Sequence, residues 1–330
     1  MGNGFSIQQI PDLSGKKYVV TGANTGIGAI TVRELARKGA FVVLACRSEE
    51  KAKAAIEKIA TELGPDFDKA KLEFQVLDLM SLESAAKAAR ELRERHPKID
   101  VLINNAGIMT CPYQLTKDGI ESQFGTNHMG HFVFTGLLFP SIDRSTGDAR
   151  VVNLSSLAHE YPYSWGISEY EQIVVGADGD ESKLRDIYTP HGAYGQSKLA
   201  NLLFTKKIAQ RVPNVWAAAL HPGYVATELQ RNIGGAYGGV ASAVMSAATV
   251  VFAKSPDNGA RTTLAAATHP KGTKWDVASG SYFEPYGEVK SGSKMANDPA
   301  LADKLWDLSI RIVKEKLGES VAAEIEKNIS

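Results

Sequence analysis

The sequence predicts an α/β fold: a doubly wound parallel sheet of about seven strands with helices on both faces. Three observations predict it. Short apolar runs alternate with helix-forming blocks along most of the chain. The runs are rich in Val, Ile and Leu with little polar alternation, as strands covered on both faces require. A glycine-rich turn joins the first run to the first helical block, the place where such sheets hold ligands.

The elements follow in order. Strand 17–21 runs through Tyr18-Val19-Val20-Thr21 into Gly22-Ala23-Asn24-Thr25-Gly26-Ile27-Gly28 and a helix near 26–38. Strand 41–45 precedes helix 49–63, which is dense in Ala, Glu and Lys and so favours helix. Strand 72–77 with helix 81–95, and strand 101–104 with helix 119–140, repeat the unit. Strands 150–154 and 215–220 and helices 192–211, 256–268 and 299–317 complete it. Asp298-Pro299 supplies a cap and first turn for the last helix. Two stretches break the rhythm. Residues 157–190 carry Tyr161, Tyr163, Trp165, Tyr170 and Tyr188; residues 228–255 open on Gly234-Gly235 and Gly238-Gly239 and then turn apolar. Long irregular segments in compact α/β domains usually carry function. We therefore expect 228–255 to be a substrate lid, and 157–190 to be an insertion that serves as either a binding loop or a surface elaboration. One domain is expected over residues 1–330, with 1–14 as an N-terminal extension.

Composition excludes several classes. Lys+Arg and Asp+Glu both number 37, for a formal net charge of 0, so the basic excess that grips nucleic acid is missing. Two cysteines, Cys46 and Cys111, make no disulfide framework, which points to a reducing compartment. The longest apolar stretch, 240–253, is shorter than the about 20 residues of a membrane-spanning helix. No basic region followed by an apolar run opens the chain, and a cytoplasmic protein is expected. Met1-Gly2-Asn3-Gly4-Phe5-Ser6 fits an N-myristoylation acceptor, although one acyl chain binds membranes only marginally. His128 and His131 lie three apart on a helix, but a zinc site needs further ligands, and no metal is expected.

Glycines between a first strand and a first helix let backbone amides approach a pyrophosphate, and the helix N-terminus adds its dipole. The turn is thus read as a dinucleotide cradle and the fold as Rossmann-type. A Gly-x-x-x-Gly-x-Gly string is weak in a chain with 30 glycines; its place between strand and helix makes it specific. At the tip of the second strand an acid would hold a ribose 2′-hydroxyl, whereas an arginine suits a 2′-phosphate. The tip reads Cys46-Arg47-Ser48, and a guanidinium takes phosphate bidentately, so NADP is expected over NAD. Glu49 and Glu50 read as first-turn residues complementing the helix dipole.

Three of the 11 tyrosines have lysine four residues on: Tyr113/Lys117, Tyr194/Lys198 and Tyr286/Lys290. Only Tyr194/Lys198 lies in a helical pattern (Leu199, Leu202, Leu203, Ile208), where such a pair shares a face. The other two follow Pro112 and Pro285. An ammonium beside a phenol lowers its pKa from about 10, which lets it exchange a proton near neutral pH. Ser155-Ser156 end the fifth strand, at the carboxyl edge where open sheets bind ligands.

The Thr21-to-Gly28 turn, Asp78, Asn104-Asn105-Ala106-Gly107, Asn127, Ser156, Tyr194/Lys198 and Pro222-Gly223 together resemble the short-chain dehydrogenase/reductase family, over roughly residues 15–315. Leu44-Ala45-Cys46-Arg47, Ser155-Ser156-Leu157-Ala158-His159, Ser197-Lys198-Leu199-Ala200-Asn201 and Leu305-Trp306-Asp307-Leu308-Ser309 resemble its retinol-dehydrogenase-like and WW-domain-oxidoreductase-like branch. The resemblance implies that Tyr194 donates the proton in reduction and that Lys198 binds the nicotinamide ribose. It implies that Ser156 hydrogen-bonds the substrate carbonyl and that Asn127 holds a water of the proton relay. Gly22, Asn24, Thr25, Gly26, Ile27 and Gly28 would cradle the cofactor. Asp78 and Leu79, with Asn105, Ala106 and Gly107, would flank the adenosine, and Pro222, Gly223, Val225 and Thr227 would border the nicotinamide amide. The expected activity is NADP-dependent interconversion of a carbonyl and an alcohol on a lipophilic or aromatic small molecule, with homo-oligomerisation left open. The alternatives are a dinucleotide-binding sensor or interaction protein without turnover, and a retinol or steroid dehydrogenase. One departure stands out. Ser156 and Tyr194 are 194 − 156 = 38 residues apart, well beyond the family's usual spacing, and the excess is the 157–190 segment.

Overall fold

The computed structural model describes residues 4–176, 179–223, 256–269 and 273–330. The expected lid at 228–255, Val225, Thr227 and the Met1-Gly2 acceptor lie outside the described residues. Among the described residues, eight strands form one sheet in the order β3-β2-β1-β4-β5-β6-β7-β8. They are β1 (Lys17–Thr21), β2 (Phe41–Cys46), β3 (Leu72–Val76), β4 (Val101–Asn104), β5 (Arg150–Leu154), β6 (Trp216–Leu220), β7 (Ser281–Glu284) and β8 (Glu288–Lys290). All neighbours from β3 to β7 pair in parallel. The exception to the expected parallel sheet is β8, which turns back antiparallel on β7. The turn between them, Pro285–Gly287, holds Tyr286 at φ 68°. Glu288 and Lys290 are exposed on that edge, and edge charges oppose pairing with another chain.

Helices α1 (Gly26–Arg37), α2 (Glu49–Leu63) and α8 (Pro256–Thr268) cover one face; α3 (Leu82–Arg95), α5 (Gly130–Leu138), α7 (Pro190–Arg211) and α9 (Pro299–Leu317) cover the other. The strands alternate between the two cores: Val19, Val43, Leu102 and Val151 face the second group, while Val20, Leu44, Ile103 and Val152 face the first. This two-sided burial is why the strands read as continuous apolar runs. Ser48, Ser81, Thr189 and Asp298 cap α2, α3, α7 and α9 by accepting first-turn N–H groups, each worth about 1 kcal/mol. Pro299 follows its cap as the sequence predicts.

The expected helix 119–140 is divided. Buried Glu121 accepts from the Gln123 and Phe124 N–H groups and starts α4 (Ser122–Phe124). A π-helical turn, Gly125–Met129, then leads into α5. Such turns are rare and favour functional sites; this one carries Asn127. The 157–190 segment holds two 3₁₀ turns, Leu157–Glu160 and Tyr170–Gln172, and helix α6 (Ser182–Ile187). It packs on the stretch before α4: Tyr188 Oη donates to Cys111 O at 2.6 Å, and Glu121 N donates to Ile173 O at 2.8 Å. A final helix, α10 (Glu319–Asn328), buries Ile325 against α5. Among the described residues no helix is long and apolar enough to cross a membrane.

Candidate active site

The glycine turn expected to cradle a dinucleotide follows the end of β1. Gly22 and Gly26 are left-handed, at φ 64° and 57°, a region glycine enters without steric cost. A side chain at Gly22 would start 2.9 Å from Ala106 Cα, and one at Gly28 would start 2.4 Å from Gly22 O and 2.6 Å from Asn105 Nδ2. Thr21 Oγ1 accepts from the Asn105 and Ala106 N–H groups at 3.0 Å each, and Asn105 Nδ2 donates to Thr21 O at 2.8 Å. The β1 turn and the loop after β4 are therefore laced into one floor. Thr25 stands at the N-cap of α1 without a side-chain cap bond, in contrast to α2, α3, α7 and α9. The opening N–H groups of α1 are left for an outside acceptor, at the positive end of the helix dipole. This fits the pyrophosphate of a dinucleotide.

Arg47 is exposed just past β2, and among the described residues no carboxylate pairs with it. Asp78 follows β3; its carboxylate accepts from Met80 N at 3.1 Å and pairs with Lys117 Nζ at 2.8 Å. Leu79 is buried against Gly130, where a Cβ would start 2.7 Å from Leu79 O. Beyond Gly107, Thr110 sits at φ 45°, unusual for a β-branched residue, and strain of this kind gathers at functional loops. Pro222 and Gly223 leave the end of β6, Gly223 at φ 92°.

Tyr194 and Lys198 are buried on α7. Lys198 Nζ lies 5.6 Å from the Tyr194 ring centroid and donates to Leu154 O at 3.2 Å. Burial pushes the Lys198 pKa down to about 8. A Cβ at Gly107 would start 3.1 Å from Asn127 Oδ1 and 3.4 Å from Lys198 Nζ, so the loop after β4, the π turn and α7 converge here. The two serines divide. Ser155 is buried and donates through Oγ to Lys198 O at 2.8 Å. Ser156 is partly exposed; its Oγ accepts from Ala158 N at 3.2 Å, which leaves its hydroxyl hydrogen for another acceptor. Glycine at 195 lets α7 touch the turn that follows Ser156: a Cβ there would start 2.4 Å from Tyr161 O and 2.8 Å from Ala158 O. The helix that carries Tyr194 thus packs directly on the turn that Ser156 opens.

Asn127, expected to hold a water, has its side chain committed to protein groups. Oδ1 accepts from Ile108 N at 2.8 Å, and Nδ2 donates to Ile108 O and Ser197 Oγ at 2.9 Å each. His128 and His131 do not converge on a common point. His128 lies among Phe124, Phe132 and Phe204 and meets Ser309 Oγ at 2.9 Å. His131 bridges Thr21 Oγ1 at 2.8 Å and Asn127 O at 3.0 Å. Sequence reasoning missed Asn201, whose Nδ2 donates to Leu154 O at 2.9 Å beside the Lys198 ammonium. Its spacing of three from Lys198 places it on the same helix face, which was the available signal.

The profile of a family described as short chain dehydrogenase matches residues 16–170. The chain is 38% identical over 305 residues to short-chain dehydrogenase TIC 32 B, chloroplastic, of Brassica napus, covering 89% of this chain and 88% of that protein. It is 39% identical over 306 residues to human retinol dehydrogenase 13, covering 91% and 85%. A crystal structure of a protein from Mycobacterium paratuberculosis superposes with a TM-score of 0.70 at 36% identity, covering 94% of this chain and 98% of that one.

Proposed function

The chain belongs to the short-chain dehydrogenase/reductase family, an NAD(P)-dependent oxidoreductase acting on CH–OH groups, and on that premise we propose how its site works. The reaction is the interconversion of a ketone or aldehyde with its alcohol, with NADP as the cofactor and Tyr194 as general acid and base. The observation that carries this reading is the buried Lys198 ammonium held one helical turn from Tyr194 and beside Gly107. An ammonium so placed favours negative charge on the phenol oxygen.

The turn at 22–28 and the N-terminus of α1 would hold the pyrophosphate, and Arg47, free of any described carboxylate, would take the 2′-phosphate. The nicotinamide supplies or accepts the hydride when bound. Tyr194 gives its proton to the carbonyl oxygen in reduction and takes it back in oxidation. Ser156 donates its hydroxyl hydrogen to the same oxygen and orients it. Asn127, clamped to Ile108 and Ser197, keeps the loop after β4 against α7. Leu157, Tyr161 and Trp165 are exposed immediately beyond Ser156. Their position supports a lipophilic or aromatic substrate, and the relatives named retinol dehydrogenases put retinol in the panel to be tried.

The test is NADPH oxidation across aromatic and long-chain aldehydes and ketones, with retinol and NADP in the reverse direction. Tyr194→Phe should lower kcat about 10²- to 10⁴-fold while NADPH still binds. Binding of NADPH with no turnover of any substrate by the wild type would instead support a sensor.

A further inference from the structure

We infer that His159 is a positioning residue for Ser156: a neutral imidazole protonated at Nδ1 that holds the Ser156 carbonyl and ties it to the segment preceding α9. The inference rests on the reading of Ser156 as the donor to the substrate oxygen. His159 lies three residues past Ser156 in the Leu157–Glu160 turn and is fully buried. Its Nδ1 is 2.7 Å from Ser156 O, and its Nε2 is 3.1 Å from Ser293 N. A carbonyl only accepts and a backbone N–H only donates. The hydrogen therefore sits on Nδ1, and Nε2 is bare. With this tautomer both ring nitrogens are satisfied, as burial demands; with the other, two donors and two acceptors would face each other.

The far anchor is itself fixed. Tyr282 of β7 packs edge-on against the ring at 4.9 Å. Asn297 Nδ2 donates to Ser291 O at 2.7 Å and to Ser293 O at 2.8 Å, which shapes the segment. Lys206 Nζ of α7 donates to Asn297 Oδ1 at 2.8 Å. The chain of contacts thus starts at Ser156, passes through His159, Ser293, Asn297 and Lys206, and ends on the helix that carries Tyr194. It closes a loop around the two groups that must meet the same substrate oxygen. Residues from three distant parts of the sequence hold that spacing, and His159 is the link adjacent to Ser156.

Two conservative variants separate the two ring nitrogens. In His159→Asn the side-chain amide nitrogen takes the place of Nδ1, so the bond to Ser156 O is kept and the acceptor for Ser293 is lost. In His159→Gln the side-chain oxygen takes the place of Nε2, so Ser293 is kept and the side-chain bond to Ser156 O is lost, leaving that carbonyl only the residue 159 backbone N–H at 3.0 Å. The probe is NADPH with the best carbonyl of the wild-type panel. The proposal requires the Gln variant's kcat to lie at least about tenfold below that of the Asn variant, with the KM for NADPH unchanged in both. Any other order, equal losses that track Tm, or two variants equal to wild type would overturn it. A second measurement needs neither variants nor turnover. ¹⁵N NMR of the imidazoles in the unmodified protein should find His159 protonated at Nδ1 and bare at Nε2; the opposite tautomer, or a cation, would overturn the assignment. A wild type that turns over no carbonyl refutes the reading of the site, and the NMR result still decides the tautomer on its own.

Discussion

Replacing Gly195 with alanine tests whether one backbone contact sets the geometry of the site. The added Cβ would start 2.4 Å from Tyr161 O and 2.8 Å from Ala158 O, where ordinary contact begins at 3.4 Å. Both obstacles are main-chain carbonyls, so no rotamer change relieves them. Helix α7 and the turn after Ser156 must part by about 1 Å, because a packed interior offers no slack. Tyr194 sits one residue before the new methyl, and Ser156 opens the turn it strikes. A shift of about 1 Å in a reacting constellation can cost about 100-fold in rate, or about 2.7 kcal/mol of barrier. Overpacking costs about 1–3 kcal/mol of stability, offset by about 1 kcal/mol from alanine's better helix propensity. We therefore expect kcat to fall about 100-fold with only a small drop in Tm. The NADPH affinity should hold, because the cradle at 22–28 is built elsewhere. Steady-state kinetics, NADPH fluorescence titration and a thermal melt measure the three. A kcat within about threefold of wild type would show that this contact does not set the Ser156–Tyr194 spacing.

Arg47→Asp should lower the NADPH-over-NADH ratio of kcat/KM by at least about tenfold; an unchanged ratio would remove Arg47 from the cofactor site. Lys198→Met should abolish turnover yet stabilise the ligand-free protein. Burial lowers the Lys198 pKa from 10.5 to about 8, so the unfolded chain holds that proton more tightly. The penalty is fully present below pH 8, fades towards 10.5, and amounts to roughly 3 kcal/mol at pH 7. Urea denaturation at pH 7 that shows no gain would refute it. Acid stability offers a third test. Burial lowers His128 to about 3 and His131 to about 4, from 6.5. Both stay neutral in the fold while the unfolded chain takes up two protons below 6.5. Glu121, raised by burial from 4.5 to about 7, acts in the opposite sense, protonating first in the folded state. These three groups make stability fall by about 1.4 kcal/mol per pH unit between 6.5 and 4.5, and Glu121→Gln should roughly double that slope. Denaturation midpoints that stay flat across this window in both proteins would contradict the burial of the histidines.

What could be read from the residues in order was whatever depends on neighbours along the chain. The strand–glycine turn–helix unit was legible because its three parts lie within a dozen positions. Tyr194 stood out from Tyr113 and Tyr286 because a pair four apart shares a face only where the surrounding pattern is helical. Asp298-Pro299 announced its helix because a cap bonds within its own first turn. The tertiary structure decided everything that depends on which strands and loops become neighbours. Ser155 and Ser156 look alike in sequence; they part because Ser155 reaches Lys198 O on α7, whereas Ser156 caps its own turn at Ala158 N and stays partly exposed. Lys117 looked like half of a chance Tyr–Lys pair, and the fold sets it on Asp78. The π turn at Asn127, the antiparallel β8 and the bond from Ser293 to His159 were equally invisible. Periodicity is a property of the local backbone, but a hydrogen-bond partner more than a hundred residues away is chosen by the order in which strands dock into the sheet.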